Sequence, residues 1–113
     1  MNNELCEKIF AVRDFIDKNI CTDLNVNEIA EKFRLNPKVL TERFVYFFGI
    51  TPKKYILNKK LEKLMEMLRK RKPGTLLNIS RYGYELGFKS AASFCNFIKR
   101  STGKTFTDLM NEI

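Results

Sequence analysis

An internal repeat constrains this chain more than any other feature. The stretch "LNVNEIAEKFRL" at 24–35 matches "LNISRYGYELGF" at 77–88 with an offset of 53. Leu24/Leu77, Val26/Ile79, Ile29/Tyr82, Ala30/Gly83, Phe33/Leu86 and Leu35/Phe88 fall in step. After one inserted residue the offset is 54, and Leu40 meets Phe94, Phe44 meets Ile98, Gly49 meets Gly103 and Thr51 meets Thr105. One supersecondary unit is used twice, and neither copy can bury its apolar face alone.

Each copy spells a short helix, a tight turn, a second short helix and a glycine stop. Leu5, Ile9, Val12, Phe15 and Ile16 make a helical stripe over 4–19, ahead of the first copy. Asn25 with Glu28 resembles a capping box, and Asn36-Pro37 combines a cap with a proline tolerated in the first turn. Gly49 is a C-terminal stop. Thr51-Pro52 launches a long helix to about Arg71, which "KPGT" at 72–75 breaks. Helices follow at 79–86, 90–101 and 106–112, and no period-2 pattern persists. The expectation is an all-α fold of about seven helices in which the repeated unit is a helix-turn-helix.

Charge is uneven. Residues 1–35 carry five Lys/Arg against seven Asp/Glu, whereas 36–113 carry sixteen against six, and the chain totals +8. A basic excess confined to one part of a chain fits a polyanion partner, and a solvated lysine-rich surface is the alternative. With no His, neither a hydrolytic triad nor a zinc cluster is expected. Cys6, Cys21 and Cys95 are odd in number and widely spaced, which suits free thiols in a reducing cytosol. "TGKT" at 102–105 echoes a phosphate-binding loop, but Ile98 occupies the position of its first glycine and no strand precedes it. No enzyme activity, cofactor or metal is expected. No apolar run approaches about 18 residues and no secretory signal opens the chain, so a membrane location is not expected.

On the second helix of each unit, inner and outer faces separate cleanly. Leu40, Phe44, Phe47 and Phe48 project inward, while Lys38, Glu42, Val45 and Tyr46 project outward. In the second unit Phe94, Phe97 and Ile98 project inward, while Ala92, Asn96, Lys99 and Arg100 project outward.

Together with "GITPKKYI" at 49–56 and "GFKSAASFCNFIKRSTG" at 87–103, this pattern resembles the DNA-binding domain of the AraC/XylS family of bacterial transcription regulators, over about residues 5–112. The resemblance implies two helix-turn-helix units joined by a long linker helix. The domains would then be 1–50 (N-terminal helix plus first unit), 51–72 (linker helix) and 73–113 (second unit and C-terminal helix). It also implies double-stranded DNA as partner, activation through RNA polymerase, and in many members an N-terminal effector or dimerisation domain, for which no segment is present here. This chain departs from the family at Glu42 (often Arg), Arg43 (usually apolar), Val45-Tyr46 (a basic pair), Phe106-x-x-Leu109 (Pro-x-x-Tyr) and Gly83 (Ala).

The major groove supplies the expected reading roles. Asn96 can pair with adenine N6 and N7, and small Ala91, Ala92 and Cys95 suit thymine methyl groups. Lys38 can donate to guanine and Glu42 can accept from cytosine N4, with Thr41 beside them; alternatively Glu42 pairs with Lys38 and contributes little. The second unit is expected to be the more specific reader. Phosphate contacts are expected from Arg43, Lys53, Lys54, Lys89, Lys99 and Arg100 and from the helix starts at Thr51 and Thr105. The rival reading makes 53–72 a basic amphipathic helix that binds an anionic membrane or a protein partner.

Overall fold

The computed structural model describes residues 3–71 and 78–112. Among them it places seven helices and no strand: α1 (Asn3–Lys18), α2 (Val26–Lys32), α3 (Pro37–Phe48), α4 (Pro52–Lys70), α5 (Ile79–Glu85), α6 (Ala91–Thr102) and α7 (Phe106–Glu112). The break expected at 72–75 and the repeat position Leu77 lie outside the described residues. Two compact units result. Unit 1 is Met1–Ile20 with Leu24–Ile56, and unit 2 is Cys21–Asp23 with Leu57–Ile113.

Local chemistry sets the helix ends. Asn25 Oδ1 accepts from the N–H groups of Asn27 and Glu28, and Asn36 Oδ1 from those of Lys38 and Val39. Each bond meets a donor that no helical carbonyl can reach. In α6 the cap is Ser90, with extended backbone, so the helix starts at Ala91 rather than at 90. Gly49 and Gly103 close α3 and α6 at φ 79° and 74°, a left-handed conformation that glycine adopts without a Cβ penalty.

The repeat holds down to single hydrogen bonds. After α2, Leu35 N–H donates to Ala30 O and Arg34 N–H to Glu31 O; after α5, Phe88 N–H donates to Gly83 O and Gly87 N–H to Tyr84 O. Both ends are Schellman closures with a left-handed residue at the turn, Arg34 at φ 56° and Gly87 at φ 86°. The two turns differ in what surrounds them. A Cβ at Gly87 would overlap the carbonyl group of Thr22, so that position requires glycine on packing grounds as well.

Each unit has its own core. Ile9, Val12, Ile16, Ile29, Ala30, Leu40, Phe44 and Ile56 form that of unit 1. Leu64, Leu68, Leu86, Phe94, Phe97, Ile98, Phe106, Leu109 and Met110 form that of unit 2. The apolar stripe of α4 is used up in these cores: Tyr55 and Ile56 in the first, Leu57, Leu61, Leu64, Met65 and Leu68 in the second. The stripe therefore serves the two cores and needs no membrane to cover it. Gly83 faces Phe94 so closely that a Cβ would sit 2.9 Å from the Phe94 Cβ. The matched pair in unit 1 is Ala30 and Leu40, so the smaller residue goes with the larger partner.

Candidate nucleic-acid interface

In unit 2, burial of Phe94, Phe97 and Ile98 fixes which way α6 faces. Phe88 and Phe106 both pack on Phe94, with ring centroids 5.4 and 5.9 Å away. The opposite face is therefore open, and Ala91, Ala92, Cys95, Asn96, Lys99 and Arg100 are all exposed along it. Ser93, which sequence reasoning passed over, is exposed there too; its N–H caps onto Ser90 Oγ. Lys99 Nζ lies 3.4 Å from Gly103 O, at the helix end where the dipole favours a cation.

In unit 1, burial of Leu40 and Phe44 orients α3 in the same way. Lys38 and Glu42 are exposed, and among the described residues no ion pair joins them. Thr41 and Arg43 are half-buried on the flanks. The outer face also carries Val39, Val45 and Tyr46, which are 37%, 40% and 65% exposed. Unit 1 holds nine Lys/Arg against seven Asp/Glu, a net of +2; unit 2 holds twelve against six, a net of +6.

The expected phosphate contacts differ in how free they are. Lys53 and Lys54 are exposed on the first turn of α4, where Thr51 Oγ1 accepts from the Lys54 N–H at 3.2 Å. Lys89 is 3.2 Å from Asp23, so a phosphate there competes with a carboxylate. Thr105 is engaged as well: its N–H donates to Asp108 Oδ2, and its Oγ1 accepts from the Asp108 N–H. The Thr105 backbone N–H, and after it the Thr105 hydroxyl, hold the Asp108 carboxyl below the usual carboxylate range and leave a negative charge at the start of α7.

Lys60 had no counterpart among the expectations. It is only 4% exposed. Its Nζ donates to Thr22 O at 2.8 Å and to Leu86 O, and lies 5.4 Å from the Phe88 ring centroid. The amine thereby ties the 21–23 segment to the turn that leads into α6. Burial pushes its pKa down, while the nearby Cys21 and Asp23 pull it back up.

A family model for the helix-turn-helix domain matches residues 29–112. The chain belongs to the AraC-type helix-turn-helix family of DNA-binding transcriptional regulators. This AraC-type chain is 26% identical over 101 residues to the XylDLEGF operon transcriptional activator of Pseudomonas putida, covering 89% of this chain and 31% of that one. It thus spans about a third of the length of the curated relatives it matches. Among solved structures it resembles the C-terminal domain of AraT, a response regulator from Geobacillus stearothermophilus, with TM-score 0.80 at 20% identity, over 94% of this chain and 85% of that one. It also resembles the DNA-binding domain of AdpA, solved with a target DNA, with TM-score 0.75 at 12% identity, over 92% and 90% of the two chains. The AraC-type family and fold are those of regulators, which are not enzymes. Among the described residues no helix is long and apolar enough to cross a membrane.

Proposed function

We propose that this chain binds duplex DNA sequence-specifically as a transcriptional regulator, each unit laying its second helix in one major groove. One observation carries the reading: the outer face of α6 is exposed from Ala91 to Arg100 and combines small side chains, an amide and two cations over a fixed aromatic core. That mixture suits close approach, adenine pairing by Asn96 and phosphate anchoring by Lys99 and Arg100. On α3, Lys38 and Glu42 take the equivalent place, with Thr41 and Arg43 at the flanks. The division of labour follows 1–50, 51–72 and 73–113: two readers and a connecting helix. A single chain then needs one asymmetric site of about two helical turns, with no protein dimer.

Activation through RNA polymerase is part of the proposal. Helix α1 leaves Phe10 41% exposed, with exposed Glu7 and Asp14 three residues before and four after it, a poor surface for DNA and a plausible one for protein. An effector or dimerisation domain elsewhere in a longer protein would fit the length of the relatives. Such a regulator works in the cytoplasm, on the nucleoid.

The deciding experiment is binding-site selection from random duplexes with the wild-type chain, Asn96→Ala and Glu42→Ala in parallel. Asn96→Ala should cost about 1–3 kcal/mol on the selected site and relax preference at one base pair. Loss of preference with Glu42→Ala but not with Asn96→Ala would reverse the assigned roles, and no enrichment at all would end the DNA reading. In vitro transcription on the selected template should show more transcript; less would make the chain a repressor.

A further inference from the structure

We propose that Val45 reads a thymine methyl group in the major groove under unit 1, beside a base pair at which Glu42 takes a cytosine amino group. The proposal rests on the DNA reading above and specifies what unit 1 recognises.

The internal repeat isolates the position. At the offset of 54, Glu42 corresponds to Asn96, Val45 to Lys99 and Tyr46 to Arg100. Where unit 2 presents two cations, unit 1 presents two exposed apolar side chains on the same face of the same element. A valine cannot hold a phosphate. The C5-methyl of thymine is the one apolar group among the base edges of the major groove, so it is the one feature there against which a valine gains by leaving water.

The two apolar residues do not share one role. The Tyr46 ring stands edge-on to Phe47, with centroids 5.1 Å apart, and Phe47 packs at 5.4 Å on Phe10 of α1. Val45 instead lies on the stripe of Lys38 and Glu42, at i, i+4 and i+7. A helix rises about 1.5 Å per residue, so Glu42 and Val45 are about 4.5 Å apart along the axis, close to one base step. Glu42 accepting from cytosine N4 and Val45 touching a methyl thus fall on neighbouring base pairs. Neither contact needs a cation, which suits the low net charge of unit 1.

The test uses the selected duplex with each thymine replaced in turn by deoxyuridine, which removes only the methyl group. Affinity is measured for the wild-type chain, Val45→Ala and Val45→Lys. Removing one methyl from one position under unit 1 should weaken wild-type binding about fourfold, the worth of one buried methyl. At that position Val45→Lys should show no loss, and Val45→Ala, which keeps a single methyl, a smaller loss than wild type. Val45→Lys should also steepen the salt dependence by about one phosphate contact. Equal losses in wild type and Val45→Lys at every thymine would overturn the inference while leaving DNA binding intact. So would a wild-type chain indifferent to all of them, which would assign this face to a protein partner. A chain that binds no duplex overturns both readings.

Discussion

Gly83 shows how little slack the second unit has. A methyl there meets the Cβ and ring of Phe94 at 2.9 Å, and Phe94 is fully buried against Phe88 and Phe106. Alanine favours helix over glycine by about 1 kcal/mol, but overpacking costs about 1–3 kcal/mol, so Gly83→Ala should lower stability by about 1 kcal/mol in a urea titration. Lys60 works in the other direction, as a polar group that a core has been built to hold. Lys60→Met strands the carbonyls of Thr22 and Leu86 and should destabilise by about 1–3 kcal/mol. The pH signature is separate. Because the folded pKa lies below the ordinary 10.5, the unfolded chain binds more protons in the interval between the two. Wild-type stability should therefore rise with pH through that interval, relative to Lys60→Met. Parallel wild-type and Lys60→Met melts with the same alkaline pH slope would show that the buried amine pays no penalty for its charge.

At the scale of the element, caps and turns decide where α2, α3, α5 and α6 begin and end, and the start of α7 offers a test of the same chemistry. Of the two bonds between Thr105 and Asp108, the one that Asp108 Oδ2 accepts from the Thr105 N–H is stronger when the carboxylate is ionised. Its folded pKa is depressed, so its stabilising effect is complete above the ordinary carboxylate pKa near 3.8 and is lost as pH falls below it. Asp108→Asn should melt earlier than wild type at neutral pH, and the gap should close in acid. An unchanged gap would mean that the charge adds nothing to the hydrogen bonds. These elements were largely legible in the sequence because their signals are local. Asn25, Asn36, Gly49 and Gly103 act within a turn of their own position, and the inner faces of α3 and α6 follow from apolar spacing alone. The unread features depend on distant partners. Lys60 shares the helical stripe of Ile56, Leu64 and Leu68 at spacing four, a local sign of burial that Lys59 lacks, but its acceptors, the carbonyls of Thr22 and Leu86, come from distant segments. Lys89 meets Asp23 only through the fold, whereas the Asp108 that engages Thr105 stands three residues on, at capping distance, and was legible in the sequence.

For the whole molecule, the distribution of charge governs association. Among the described residues Arg43, Lys53, Lys54, Lys99 and Arg100 are the cations of the proposed interface outside any ion pair, although the Asp108 carboxylate feels the Lys99 charge, and Lys89 joins them only by leaving Asp23. Neutralising about six phosphates should cost roughly a thousandfold in affinity between about 50 and 200 mM salt. A flat response would point to a surface that never meets DNA. The stability of the fold is separable from that surface, because the residues that α3 and α6 give to the cores (Leu40, Phe44, Phe94, Phe97 and Ile98) are none of the outward-facing ones. The Gly83–Phe94 pair then limits how the halves can be recombined. Transplanting all of α6 into unit 1 would bring the Phe94 ring to a scaffold that offers Ala30 rather than glycine, and such a chimera should fold poorly. Grafting only the outward residues would leave both interiors untouched. The reading surfaces are interchangeable parts, while the inner faces are fitted to their own unit.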